Sequence, residues 1–133
     1  MALSDYALAT ENDLELLLGD ELSTPLAEAI LNQSSALVEN YLDRQIISRG
    51  SLTEYHTFTV GYPNLYTRQW PIISVASVHE DIDREYGAAD LLTANDDYLV
   101  VKPPGLIVRT ISATSGKTTW LTGFRAIKVV YQA

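Results

Sequence analysis

His56 and His79 are the only imidazoles in the chain, so any acid–base or metal chemistry that needs histidine starts from these two. Each falls in an alternating stretch that reads as a strand, and neither has a second histidine at ligand spacing. His79-Glu80-Asp81 puts three metal-capable side chains in a row. Neighbours in a strand point to opposite faces, so the three cannot converge without a bend, and surface histidines are expected. Counting residues leaves a Ser/His/Asp triad open, but no Gly-x-Ser-x-Gly elbow supports one. Asp81, Asp83 and Glu85 alternate like the start of a calcium loop. Position six, which needs glycine, is Tyr86, and position twelve, which needs glutamate, is Leu92. A solvated acidic loop is the better reading. Ser115-Gly116-Lys117-Thr118 imitates the end of a phosphate-binding loop, yet Ile111 stands where the first glycine belongs and no helix signal follows. The sequon Asn32-Gln33-Ser34 lies in a helical stretch and carries no weight. The residues therefore point away from an enzyme. No catalytic residue, cofactor site or metal site is expected.

The aromatics and the charges say more. Eight tyrosines and two tryptophans outnumber two phenylalanines, and several cluster between Tyr55 and Trp70. Amphipathic aromatics suit surfaces that are packed on one side and wet on the other, as at protein interfaces; they also line ordinary antiparallel sheets. The net charge of -8 speaks against free-standing nucleic-acid binding. It is unevenly spread. Residues 1–50 hold nine acids and two bases, and residues 51–100 hold eight acids and two bases. The last 33 residues hold no acid and five bases: Lys102, Arg109, Lys117, Arg125 and Lys128. That pattern fits a solvated surface, or two faces that meet oppositely charged partners.

The elements that position these groups change character near residue 50. Thr10 with Asp13 three residues on forms a capping-box signal, a leucine run follows, and Gly19 is a natural helix end. Ser23-Thr24-Pro25 starts a second helix of about 18 residues, or about 27 Å. Its apolar rows are Leu26, Ile30, Leu37, Tyr41 and, beside them, Ala27, Leu31, Val38, Leu42. Such a helix is long for a domain with a radius of gyration of about 14 Å. Beyond Gly50 the period becomes two. Strands are expected over 52–60, 65–70, 72–78, 98–101, 106–111 and 126–131, with an acidic loop over 80–90 and a flexible polar loop over 112–119. A length of 133 residues and 47% hydrophobic content suit one domain with a modest core: helical over 1–50, strand-rich over 51–133. The predicted class is α+β, a short and a long helix packed with an antiparallel sheet. No cysteine is present, which fits a reducing cytoplasm and removes disulfide and thiolate chemistry. Neither a signal peptide nor a membrane span is evident.

The order of short motifs adds a resemblance. The long helix closes in "ENYLDRQI"; "WPIISVASV" and "DDYLV" follow, and the chain ends in "WLTGFRAIKVVYQA". This resembles the head-tail connector (adaptor) proteins of long-tailed phages and prophages. In that family the long helix often ends in a tyrosine-leucine-glycine-arginine-like stretch, here Tyr41-Leu42-Asp43-Arg44, with aspartate in place of glycine. A P-x-x-S-V element matches Pro71 to Val75, and the closing pattern matches Trp120, Gly123 and the run from Ile127 to Tyr131. The aromatic strands over 52–70 are more elaborate than in the smallest, mostly helical members. The resemblance implies a virion protein at the head–tail interface, assembled in the host cytoplasm. It implies a twelvefold homo-oligomeric ring docked under the portal protein. That ring would serve genome packaging and DNA ejection by extending the DNA channel without binding DNA specifically, and would offer a platform to stopper or tail-completion proteins. It implies no catalysis and no membrane. On this reading the interface residues are Trp120, Arg125, Lys128, Lys117 and Arg44, acidic side chains line the channel, and the loop over 112–119 orders against the portal. A β-rich tail or baseplate module gripping a ligand through its aromatics is the alternative.

Overall fold

The structure is a computed structural model that describes residues 2–3, 7–48, 50–110 and 116–133. Contacts divide the chain into two compact units, Met1–Ser48 and Arg49–Ala133, at the point where the sequence pattern changes. The class is α+β, with the helices in the first unit and antiparallel sheets in the second.

In the first unit, α1 (Glu11–Leu18) begins at the expected capping box. The Asp13 amide donates to Thr10 Oγ1 at 3.2 Å, and the Thr10 amide donates to Asp13 Oδ2 at 2.9 Å. Gly19 ends the helix in the left-handed region at φ 73°, with its N–H on the Glu15 carbonyl at 2.8 Å. Helix α2 (Thr24–Leu42) has Ser23 at its N-cap and a proline in its first turn. It ends at Asp43, whose φ of 49° is left-handed, a conformation aspartate tolerates better than most residues. Of the two apolar rows, only Ala27 and Leu31 of the second turn inward, and Val38 and Leu42 stay exposed. The buried stripe is Ala27, Leu31, Ser35 and Glu39, four residues apart. Ser35 accepts the Leu8 amide at 3.0 Å and donates to the Leu31 carbonyl at 2.7 Å, and Glu39 accepts the Ile46 amide at 3.0 Å. The bulkier row, Leu26, Ile30, Leu37 and Tyr41, is exposed. So are Leu16, Leu17 and Leu18 of α1, which has no buried residue.

In the second unit, six strands form two three-stranded antiparallel sheets. The first has the order β1 (Leu52–Phe58), β6 (Gly123–Gln132), β3 (Ser74–Glu80), and the second has β2 (Asn64–Tyr66), β5 (Leu106–Arg109), β4 (Tyr98–Val101). Both contribute to one core: Val78, Ile127, Val129 and Tyr131 from the first, Leu65, Tyr98 and Ile107 from the second, joined by Ile72 and Trp120. The β4–β5 hairpin turns where Pro103-Pro104-Gly105 was expected to turn it. Gly105 has a φ of 65°, and a Cβ there would lie 2.6 Å from Thr67 Oγ1, so only glycine fits. Several expectations move, and the strand expected over 65–70 stops at Tyr66. The strand expected over 72–78 starts two residues later and reaches Glu80, because Glu80 is drawn into the core by an ion pair with Arg109. The closing strand starts at Gly123, ahead of residue 126. Trp120 is 1% exposed and packs in the core, so it presents no surface to a partner. Of the loop expected over 112–119, residues 112–115 lie outside the described residues.

Candidate protein-interaction surface

Residues directly opposite on paired strands share a face. Tyr55 pairs with Lys128 and Lys128 pairs with His79, so these three form one row across the outer face of the first sheet. The loop after β3 folds back over this row. The Asp81 carboxylate accepts the amides of Asp83 (2.8 Å), Glu85 (2.7 Å) and Tyr86 (3.0 Å). Those bonds, the Tyr86 amide foremost, hold the Asp81 carboxyl below its ordinary value. The carboxylate expected to belong to a solvated acidic loop is therefore the loop's internal cap. Arg84 and Tyr86 turn left-handed beside it, with φ of 65° and 52°.

This turn sets Tyr86 over the row. Its ring lies 5.5 Å from that of Tyr55, 6.5 Å from that of His79, and 5.5 Å from Lys128 Nζ. Its hydroxyl donates to the Arg125 carbonyl, and partial burial raises its pKa. Arg125 has a φ of 51°, donates its amide to Thr57 Oγ1 at 2.9 Å, and lays its guanidinium 4.1 Å over the Tyr55 ring. Arg84 lies 5.9 Å from the ring of Phe124. Together Tyr55, Arg84, Tyr86, Phe124 and Arg125 line an open cleft of about 310 Å³. Phe124 remains mostly exposed, as does Ile82 at the start of the covering loop. Aromatic rings beside cations, with apolar edges left to solvent, have the composition of the energetic centre of a protein interface.

No protein-family model matches the chain, and no curated protein matches its sequence.

Of the five interface residues read from sequence, the structure brings two together, Arg125 and Lys128. Trp120 is in the core, where its indole faces the Arg109 guanidinium at 5.9 Å. Lys117 lines a separate cleft beside Asp96, Asp97 and Arg109. Arg44 follows α2 in the other unit. The residues that complete the surface, Tyr55, Arg84, Tyr86 and Phe124, were not singled out. Alternation in β1 puts Tyr55 outward, but only the Asp81 cap brings Arg84 and Tyr86 to it.

Neither histidine is a free surface group. His79 is half-buried under Tyr86, and its Nδ1 is enclosed with no hydrogen-bond partner among the described residues. His56 lies on the inner face of β1, because positions 52, 54, 56 and 58 of that strand turn inward. Its Nε2 is 3.1 Å from Glu54 Oε2. Glu54 also accepts the Tyr131 hydroxyl and, at 3.0 and 3.1 Å, the Arg68 amide, while Tyr131 accepts the Gln69 amide at 3.1 Å. Burial pushes the Glu54 carboxyl up; the donors from His56, Tyr131 and Arg68 outweigh it, so the group stays below its ordinary value. Burial, then the bond to Glu54, pushes the Tyr131 phenol well above its own. Here the carboxylate stands between imidazole and hydroxyl. A nucleophilic triad needs the imidazole in the middle, taking the hydroxyl's proton. This network ties the segment after β2 to β1 and β6, and its lone pairs are already engaged.

The second buried network joins the sheets. Arg109 Nε and Nη2 each lie 3.3 Å from a Glu80 carboxylate oxygen, and Nη1 donates to the Asp97 carbonyl at 2.6 Å. Glu80 also accepts the Leu121 amide at 3.1 Å. Among the described residues no three metal-capable side chains converge, and no helix is long and apolar enough to cross a membrane.

Proposed function

We propose that the protein is a structural virion subunit that forms a homo-oligomeric ring between the portal and the stopper or tail-completion proteins, extending the DNA channel. The order of motifs from Tyr41 to Tyr131 supports the family, and the distribution of charge supports the mechanism. Residues 1–48 hold nine carboxylates against Arg44 alone, whereas residues 49–133 hold eight of each sign, so the whole net charge of -8 resides in the helical unit. A ring needs two unlike faces per subunit, since a heterologous contact joins one face to a different one on the next copy. An acidic unit with exposed leucines and a second unit with a cation–aromatic face supply such a pair. That division is the observation that carries the reading. Negative-stain microscopy and native mass spectrometry of the purified protein, alone and with its portal, test it. Closed rings or portal-bound copies are expected, and a monomer that ignores the portal overturns it. The aromatic cleft of Tyr55, Tyr86 and Phe124 favours one second reading, a tail or baseplate module that binds a ligand. A monomer that binds glycans would establish that instead.

A further inference from the structure

We infer that the Tyr55–Tyr86–Phe124 face of one copy receives the leucine-lined acidic helices of the next copy, a contact that rests on the ring reading above. The helical unit leaves its bulkiest apolar row outside. Leu26, Ile30, Leu37 and Tyr41 recur at intervals of four, seven and four, which keeps them on one side of α2, and Tyr41 is 88% exposed. Leu16 and Leu17 of α1 are exposed as well, Leu17 at 83%. An apolar stripe of this kind on a soluble unit marks a surface that is covered in the working assembly.

Charge selects the occupant. A second helical unit would bring the same excess of carboxylate against itself, and like charges across an interface are strongly disfavoured. The outer face of the first sheet carries no such excess, and offers cations and matching apolar edges. Arg84, Arg125 and Lys128 are its cations, and Phe124 and Ile82 its exposed apolar rim. The loop's acids, Asp81, Asp83 and Glu85, balance these cations, and Asp81 is turned onto three amides of its own loop. Dimensions agree. From Leu26 to Tyr41 the stripe spans about 22 Å at 1.5 Å per residue, and the seven residues of β1 span about 23 Å. At the corner between the helices, Glu15, Leu16, Asp20 and Glu21 line a cleft of about 440 Å³, which suits a guanidinium beside an aromatic ring, as Arg84 and Phe124 present. The contact is heterologous and leaves the joined pair with one unused face of each kind, so it propagates until a ring closes.

The absence of cysteine makes the test clean. Tyr41→Cys and Phe124→Cys, both at exposed positions, are prepared separately, mixed in equal amounts and treated with a short bismaleimide. The expected product is a mixed dimer well in excess of either like-with-like dimer, and the double variant gives a ladder of multimers. Sedimentation velocity on the same samples separates the two levels of the reasoning. Oligomers without mixed cross-links, or cross-links confined within one chain, overturn this interface and leave the ring reading standing. A protein that stays monomeric at every concentration, alone and in the presence of its portal, overturns both. As a second probe, Arg125→Glu/Lys128→Glu should raise the assembly midpoint at least tenfold, and Asp20→Lys/Glu21→Lys in the partner copy should restore it. Loss without rescue, in variants that keep the wild-type melting curve, counts against the pairing.

Discussion

Replacing Arg109 by methionine strands a carboxylate inside the sheet unit. The Arg109 side chain is 1% exposed and that of Glu80 is 5% exposed, so neither charge has water to fall back on. Removing one partner of a buried pair costs about 3–5 kcal/mol, because the other charge stays buried without compensation. Here the two single replacements are unequal. After Arg109→Met, Glu80 keeps, among the described residues, only the Leu121 amide at 3.1 Å, which puts this variant near the upper end, about 5 kcal/mol. After Glu80→Met, the guanidinium still has the Asp97 carbonyl at 2.6 Å and its carboxylate at 3.5 Å, which puts that variant near about 3 kcal/mol. The double replacement by methionine removes both charges and fills the space, and it should recover most of the loss, to within about 2 kcal/mol of the native protein. Urea unfolding followed by the emission of the buried Trp120 reports each value, since domains of this size have only about 5–15 kcal/mol in total. An Arg109→Met cost below about 1.5 kcal/mol, or a Glu80→Met cost that exceeds it, would refute the assignment of this pair as the clamp between the sheets.

The Glu54–Tyr131 network predicts stability at both ends of the pH scale. Glu54 is held below its ordinary 4.5, so its contribution is present above that pH and is lost as pH falls through its folded value. Tyr131 is raised above 10, so its contribution is present below pH 10 and is lost as pH rises beyond it. Tyr131→Phe removes a donor from a buried carboxylate and should cost about 1.5–3 kcal/mol, with the acid unfolding midpoint moving up and the alkaline loss above pH 10 diminished. Asp81→Ala frees the three amides that shape the loop, so Tyr86 no longer covers Lys128. Assembly should weaken at least tenfold while the melting temperature changes by only a few degrees, and unchanged assembly would contradict the loop's role. Thr10→Ala removes the capping box of α1, which buries no residue of its own. Amide exchange should quicken across the first turn of that helix, and the Asp13 titration should move up towards 3.8, because the Thr10 hydroxyl is the main cause of its lowered pKa.

Much of the framework was legible from local signals, because those signals act over a few residues. The capping pair Thr10 and Asp13, the stop at Gly19, the start at Ser23-Thr24-Pro25 and the turn at Gly105 all place element ends within a residue or two of where they occur. What periodicity alone could not decide was which of two adjacent apolar rows on α2 turns inward. The inward stripe leaves both rows after Leu31 and runs through Ser35 and Glu39, which accept the amides of Leu8, far off in sequence, and of Ile46, just past the helix; the larger row is left outside, with Val38 and Leu42. The candidate surface was half legible for the same reason. Arg125 and Lys128 announced themselves by charge, while Tyr86 and Arg84 depend on the Asp81 cap, a loop-scale conformation that strand alternation does not encode. Trp120 misled because a closing-strand motif is equally compatible with burial and display. Its position behind Arg109 in the shared core follows from the packing of two sheets.

The central claim is that several copies join head to tail between portal and tail proteins. Native mass spectrometry of the protein mixed with its portal, at low and at high salt, tests it most directly. The account predicts multiple copies on one portal assembly at low salt, falling away as salt screens the acidic and cationic faces. A single unassociated chain at both salt concentrations would contradict it.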